Sequence, residues 1–231
     1  MSLYSPFDIT YLVLVMPALI LAMWAQGSVS SRFRKYSQML TRRGLTGAAA
    51  AEEVLRRAGV YDVSIERVRG NLTDHFDPRS NTIRLSDSVY SSTSVAAVGV
   101  AAHEAGHAVQ HADSYTPIKI RSAIIGVTKF GSTLSMPLVL IGMLMNLGGL
   151  INIGILLFGT VVLFQLITLP VEFNASRRAI TALDEAALLD ESEIPAAKKV
   201  LSAAAMTYVA ALAVSLAQLL RLLMISGRRR R

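Results

Sequence analysis

His103-Glu104-Ala105-Gly106-His107 decides the reading of this chain; it is preceded by Val95-Ala96-Ala97-Val98-Gly99-Val100-Ala101-Ala102 and followed by Ala108-Val109-Gln110-His111. The flanks are small and apolar, as a buried helix requires. On a helix, residues four apart rise about 6 Å and differ by about 40° in direction, so both imidazoles face the same way. That spacing lets both rings bind one Zn²⁺ at about 2.0–2.1 Å. Glu104, one residue past the first histidine, is then placed to act as general base on a water without being a ligand. Two helical histidines with ordinary hydrogen bonds share the spacing. With only 4 histidines in 231 residues, chance produces this motif in well under about one per cent of such chains. Ser92, Thr93 and Ser94 are the candidate N-caps. Gly106 costs about 1 kcal/mol of helix propensity, for close packing or for room beside a metal.

The composition sets the surroundings. The chain is 52% hydrophobic and 17% charged, against about 25% charged in a soluble domain. The deficit points to membrane spans. There is no cysteine, so zinc must be held by histidine and carboxylate. The net charge of +7 is explained by arginines flanking membrane segments. No recognition motif or aromatic platform accompanies it, so no nucleic-acid partner is expected.

Residues 7–26 form the first expected span, with Pro17 tolerated inside it. Arg32, Arg34, Lys35, Arg42 and Arg43 come after it, which assigns their segment to the cytoplasm. Residues 28–121 form the catalytic part. Within it we expect a helix over residues 46–58, strands over 63–68 and 82–85, a polar loop or hairpin over 71–81, and the motif helix over 94–111. A peptide substrate is expected to extend along an edge strand such as 82–85. Residues 122–147 and 150–170 form two further spans, whose Pro137 and glycines suggest kinked, closely packed helices. Residues 171–199 are a polar cytoplasmic segment. Residues 200–226 form a membrane-spanning or membrane-associated helix; a fourth crossing would put Arg228, Arg229, Arg230 and Arg231 outside, against the positive-inside rule. The expected class is a mainly α integral membrane protein, with three to four transmembrane helices and a small cytoplasmic α+β zincin-like domain.

A catalytic zinc site needs a third protein ligand and leaves a fourth position open. Glu172 stands just past the apolar hairpin, on the same membrane side as His103 and His107. His111 is the rival, although its direction drifts by about 80° from His103 over two turns. Asp113, Asp74, Asp77 and His75 are further options. Thr73-Asp74-His75-Phe76-Asp77-Pro78 is a polar loop with turn chemistry, where His75 is a candidate oxyanion stabiliser.

Three stretches together carry a resemblance: Leu72-Thr73-Asp74-His75-Phe76-Asp77-Pro78, Ala101-Ala102-His103-Glu104-Ala105-Gly106-His107-Ala108-Val109-Gln110, and Leu169-Pro170-Val171-Glu172-Phe173-Asn174-Ala175-Ser176-Arg177-Arg178-Ala179. The chain resembles the YugP-type family of bacterial membrane zinc metallopeptidases, and is distantly similar to the HtpX/Ste24-like proteases. The resemblance implies that His103, His107 and Glu172 hold one catalytic zinc ion and that Glu104 is the general base. In the Ste24-like relatives an aspartate follows the ligand glutamate by four residues; here Ser176 stands there, so the groups around the ligands cannot simply be carried over. His75, His111, Asp77, Ser176 and Arg178 are the candidates for those supporting roles. The implied function is an integral-membrane zinc endopeptidase of the gluzincin type, acting on a peptide or protein substrate at the cytoplasmic face of the bacterial inner membrane. The partners are the lipid bilayer and the substrate, with a homo-oligomer or a membrane partner protein left open. A metal-stabilised membrane scaffold or partner-binding subunit with little turnover is the alternative. Membrane spans nearly free of charge argue against a channel or transporter.

Overall fold

The computed structural model describes residues 9–229. Residues 7 and 8 of the expected first span, and Arg230 and Arg231 of the basic tail, lie outside the described residues. A π-helical turn, Tyr11–Val15, leads into α1 (Met16–Tyr36). Next come α2 (Gly47–Arg57), β1 (Ser64–Val68), β2 (His75–Asp77), β3 (Thr82–Ser86), α3 (Asp87–Tyr90), α4 (Val95–Ala112), α5 (Thr116–Leu144), α6 (Gly148–Glu185) and α7 (Ile194–Arg229). Among the described residues, four helices, α1, α5, α6 and α7, are long and apolar enough to cross a membrane. The chain forms two compact units.

The first unit comprises Met1–Ala25, Ile120–Leu169 and Thr207–Arg231. Lipid tails are as apolar as leucine, so helices pack there through small residues and a few polar bonds. Gly131, Gly142 and Gly154 bring α5 and α6 together: a Cβ on Gly154 would lie 2.7 Å from the Ser135 carbonyl oxygen. Val139, Ile151, Ile155 and Leu222 fill the adjoining core. Gln165 Nε2 donates to Ser215 Oγ at 2.9 Å, tying α6 to α7. Pro137 and Pro170 lie inside helices that continue through them.

The second unit comprises Gln26–Lys119 and Pro170–Met206. The Thr46 hydroxyl caps α2 by accepting from Ala49 N at 3.2 Å, and Gly59 follows its end with φ +71°. Of the three candidate caps for α4, Ser94 is the one used, accepting from Ala97 N at 3.2 Å. The sequence of α4 is apolar on almost every face, and the helix is buried along nearly its whole length. Val98, Ala101 and Ala105 of α4 share one core with Val54 and Leu55 of α2, Ile83 and Leu85 of β3, and Leu183 of α6.

The sheet order is β1-β3-β2. Strand β3 pairs in parallel with β1 (Ser64↔Thr82 to Val68↔Ser86) and antiparallel with β2 (Phe76↔Ile83). This corrects the expectation that residues 82–85 form an edge. Both sides of β3 are taken, and Thr82, Ile83, Leu85 and Ser86 are buried. The outer strands are β1 and β2. Only three residues long and set in a polar loop, β2 carries too weak an alternation to announce itself.

Gly154→Ala should lower the melting temperature of the detergent-solubilised chain, by an overpacking cost of about 1–3 kcal/mol. Gly159→Ala is the control, since nothing lies within 4 Å of its would-be Cβ, and its melting temperature should not fall.

Candidate metal centre

Helix α4 supplies two rings. His103 and His107 stand with centroids 4.7 Å apart and planes at 82°. Glu172, on α6, reaches across to both. Its Oε2 lies 3.3 Å from His103 Nε2 and 3.4 Å from His107 Nε2. The three candidate ligand atoms lie within 4.8 Å of one another. The Glu172 side chain is 2% exposed. A carboxylate buried that deeply is costly unless positive charge or good donors compensate it.

The close approach of the two helices is legible in small residues. On α6, Val171, Ala175, Ala179 and Leu183 are fully buried and recur at helical spacing. Opposite them is Gly106. A Cβ there would lie 2.8 Å from the Ala175 carbonyl oxygen. Residue 106, immediately before the second histidine, is glycine because the α6 backbone occupies the space of a side chain.

Hydrogen bonds test whether this group suits a metal ion. His107 Nδ1 lies 3.0 Å from Gln110 Oε1. The Gln110 amide has a fixed direction, because its Nε2 faces the Val171 carbonyl, which can only accept. Gln110 Oε1 is therefore the acceptor and His107 Nδ1 carries the hydrogen. In the neutral ring, Nε2 then points a lone pair at a carboxylate oxygen. Two electron-rich atoms at that distance need a cation between them or a proton on the ring. His103 faces the same carboxylate: its Nε2 lies toward Glu172, and Ser176 Oγ sits 3.1 Å from its Nδ1. Burial pushes the His107 pKa down, but its contact with Glu172 and the nearby charge of Glu104 more than offset this, and the net shift is upward. The pocket attracts positive charge. Two imidazoles and a carboxylate, with no thiolate anywhere in the chain, form a donor set that suits zinc.

Glu104 projects from the same helix and is 8% exposed. Asp74 is close enough for the charge of Glu104 to be felt. Its own pKa is raised, first by burial and then by that charge, against the bonds it accepts from Ser86. Asp74 Oδ1 accepts from Ser86 N at 2.7 Å and Oδ2 from Ser86 Oγ at 3.0 Å.

The other sequence candidates lie elsewhere. His75 is exposed, with its Nδ1 against the Thr73 carbonyl. Asp77 pairs with Arg84 at 2.9 Å. His111 is exposed and packs on Phe76, with ring centroids 5.8 Å apart. Asp113 pairs with Arg178. None of these belongs to the three-residue group found among the described residues. Ser176 touches His103. Arg178 reaches the group only through two intervening residues: its Nε donates to Asn174 Oδ1 at 2.9 Å, and Asn174 in turn meets Gln110, the partner of His107. Gln110 is the residue that sequence reasoning passed over.

Residues 11–227 match the family described as "Putative neutral zinc metallopeptidase". The chain is 48% identical over 215 residues to the "Putative membrane protease YugP" of Bacillus subtilis (strain 168), covering 93% of this chain and 96% of that protein. No solved structure matches the chain.

Gly106→Ala should push α6 from α4 and weaken zinc binding by about 10-fold or more, read by chelator competition. Gly99→Ala is the matched control. Its Cβ would meet Ala197 at an ordinary 3.5 Å, so zinc binding should be unchanged and stability equal or up to about 1 kcal/mol higher.

Proposed function

The chain belongs to this family of neutral zinc metallopeptidases, and from that premise we propose that it is an integral-membrane zinc endopeptidase whose metal is held by His103, His107 and Glu172. The observation that carries the reading is the convergence of those three side chains with Glu104 one residue beyond the first. Zinc, when bound, supplies Lewis acidity: it polarises a carbonyl and lowers the pKa of a water to about 7. The chain's own residues do the rest. A Glu104 carboxylate oxygen takes the water's proton as the nucleophile attacks the peptide carbonyl carbon. The same oxygen later gives the proton to the leaving amine nitrogen as the C–N bond breaks. The low exposure of Glu104, 8%, limits the bulk water that competes for that proton. This is gluzincin chemistry, on a zincin-like arrangement of motif helix and sheet.

The substrate docks as an extended strand. Since β3 has both sides occupied, the edge proposed for it is the open side of β2. Packing of Phe76 on His111 ties β2 to α4 and supports this choice.

Counting spans supports a single side for the site. Residues 37–119 follow the helix that carries the first candidate span, and Glu172 lies toward the C-terminal end of the helix that carries the third. Two crossings separate them, so they share a side in either orientation. Arg32, Arg34, Lys35, Arg42 and Arg43 favour the cytoplasm. We therefore assign the site to the cytoplasmic face of a bacterial inner membrane.

Glu104→Gln keeps the shape of the side chain and removes the base. It should bind zinc as the unmutated protein does and lose about 10²–10⁴-fold in peptide hydrolysis. Comparison of cleaved peptides from membranes carrying each form reads the loss and identifies the substrate. Equal cleavage by both forms would remove Glu104 from the role of base.

A further inference from the structure

We propose that Gln110 is a positioning residue that fixes both ligand-bearing helices at once, so that the His107–Glu172 geometry is set by one buried amide. The proposal rests on the reading that His103, His107 and Glu172 hold zinc. Gln110 is 0% exposed. It stands one turn beyond His107 on α4. Its Oε1 accepts from His107 Nδ1 at 3.0 Å. Its Nε2 has two hydrogens, and both go to α6: to the Val171 carbonyl at 2.8 Å and to Asn174 Oδ1 at 2.9 Å. Those acceptors lie one residue before and two residues after Glu172. One face of the amide therefore aims a ligand ring, and the other holds the helical turn that carries the opposing ligand.

The chain of donors runs in one direction. Arg178 Nε donates to Asn174 Oδ1 at 2.9 Å, and an arginine only donates. That fixes Asn174 with its oxygen toward both Arg178 and Gln110. Arg178 is in turn held by Asp113, the residue at the C-terminal end of α4. The polar link thus leaves α4 at Asp113, crosses to α6 at Arg178 and Asn174, and returns to α4 at Gln110. The amides of Asn174 and Gln110 each have one allowed direction within it.

The requirement is for an amide. A glutamate at 110 would still accept from His107, and more strongly. It would also put a carboxylate oxygen against the Val171 carbonyl and Asn174 Oδ1, where a donor is needed. A shorter asparagine cannot span from the ring to α6. A methionine spans the gap but neither donates nor accepts strongly. Loss of a partner that orients a ligand histidine costs about 10–100-fold in metal affinity.

The test uses the full chain in detergent, loaded with Zn²⁺ for chelator competition and with Co²⁺ for its visible spectrum. Gln110→Met should bind Zn²⁺ about 10–100-fold more weakly and shift the Co²⁺ bands, with the spectrum reporting ligand geometry independently of turnover. Gln110→Glu should lose affinity as well, despite its stronger acceptor. Asn174→Leu should lose affinity too, and Asn174→Asp, which keeps the acceptor, should retain it. Wild-type affinity in a folded Gln110→Met chain, or in Gln110→Glu, would overturn the proposal; the latter would leave only a simple partner of His107. If Gln110→Met does not fold, the Gln110→Glu and Asn174 pairs decide by the same criteria. Glu172→Ala separates this result from the parent reading. If it leaves zinc binding intact, the three-residue site itself falls. If it abolishes binding while the Gln110 variants stay wild-type, the clamp alone falls.

Discussion

A carboxylate buried against two imidazoles is the constraint on which the rest of the second unit depends. Removing an ion from water costs several kcal/mol even after relaxation, and neighbours must return it. Glu172 Oε2 faces the Nε2 atoms of His103 and His107 just beyond 3 Å, and a cation among the three, or a proton on a ring, supplies the compensation. That arrangement demands that α4 and α6 approach to backbone contact. Gly106 permits it, the buried alanines of both helices accept it, and the all-round apolarity of α4 reflects its enclosure by α2, β3 and α6.

Glu172 has a particular place in the chain. It lies on α6, a continuous helix from Gly148 to Glu185 whose first part is a candidate membrane span. The third candidate ligand is thus delivered by the same element that carries the apolar sequence. Pro170 removes one backbone donor two residues ahead of Glu172, and the Val171 carbonyl accepts from Gln110. The ligand position is therefore held from outside the helix as well as by its own turns.

Much of this was legible in the sequence. The motif helix, its serine cap, the helix ended by Gly59 and the strands at 64–68 and 82–86 all have local signals: periodicity, caps and turn residues. The apolar stretches correspond to helices that are long and apolar enough to cross a membrane. The features that were not legible depended on pairing between distant residues. Strand β2 is three residues in a polar loop and exists because β3 offers it an edge. The centrality of β3 is a consequence of that pairing. The polar sequence after Leu169 conceals a helix that runs through a proline. The role of Ser176 depends on such pairing too: its hydroxyl lies 3.1 Å from His103 Nδ1 across the two helices. Gln110 stands in the mostly apolar flank of the motif with no local signal of a role; its meaning appears only when Val171 and Asn174 are set beside it.

The central claim is that two imidazoles from α4 and one carboxylate from α6 share a metal ion. X-ray absorption at the zinc edge of the purified, zinc-loaded chain tests it most directly. The predicted result is one zinc per chain, with two imidazole nitrogens and the remaining ligands oxygen, and loss of an oxygen ligand in Glu172→Leu. A coordination sphere holding one imidazole or three, or a spectrum indifferent to Glu172→Leu, would contradict it.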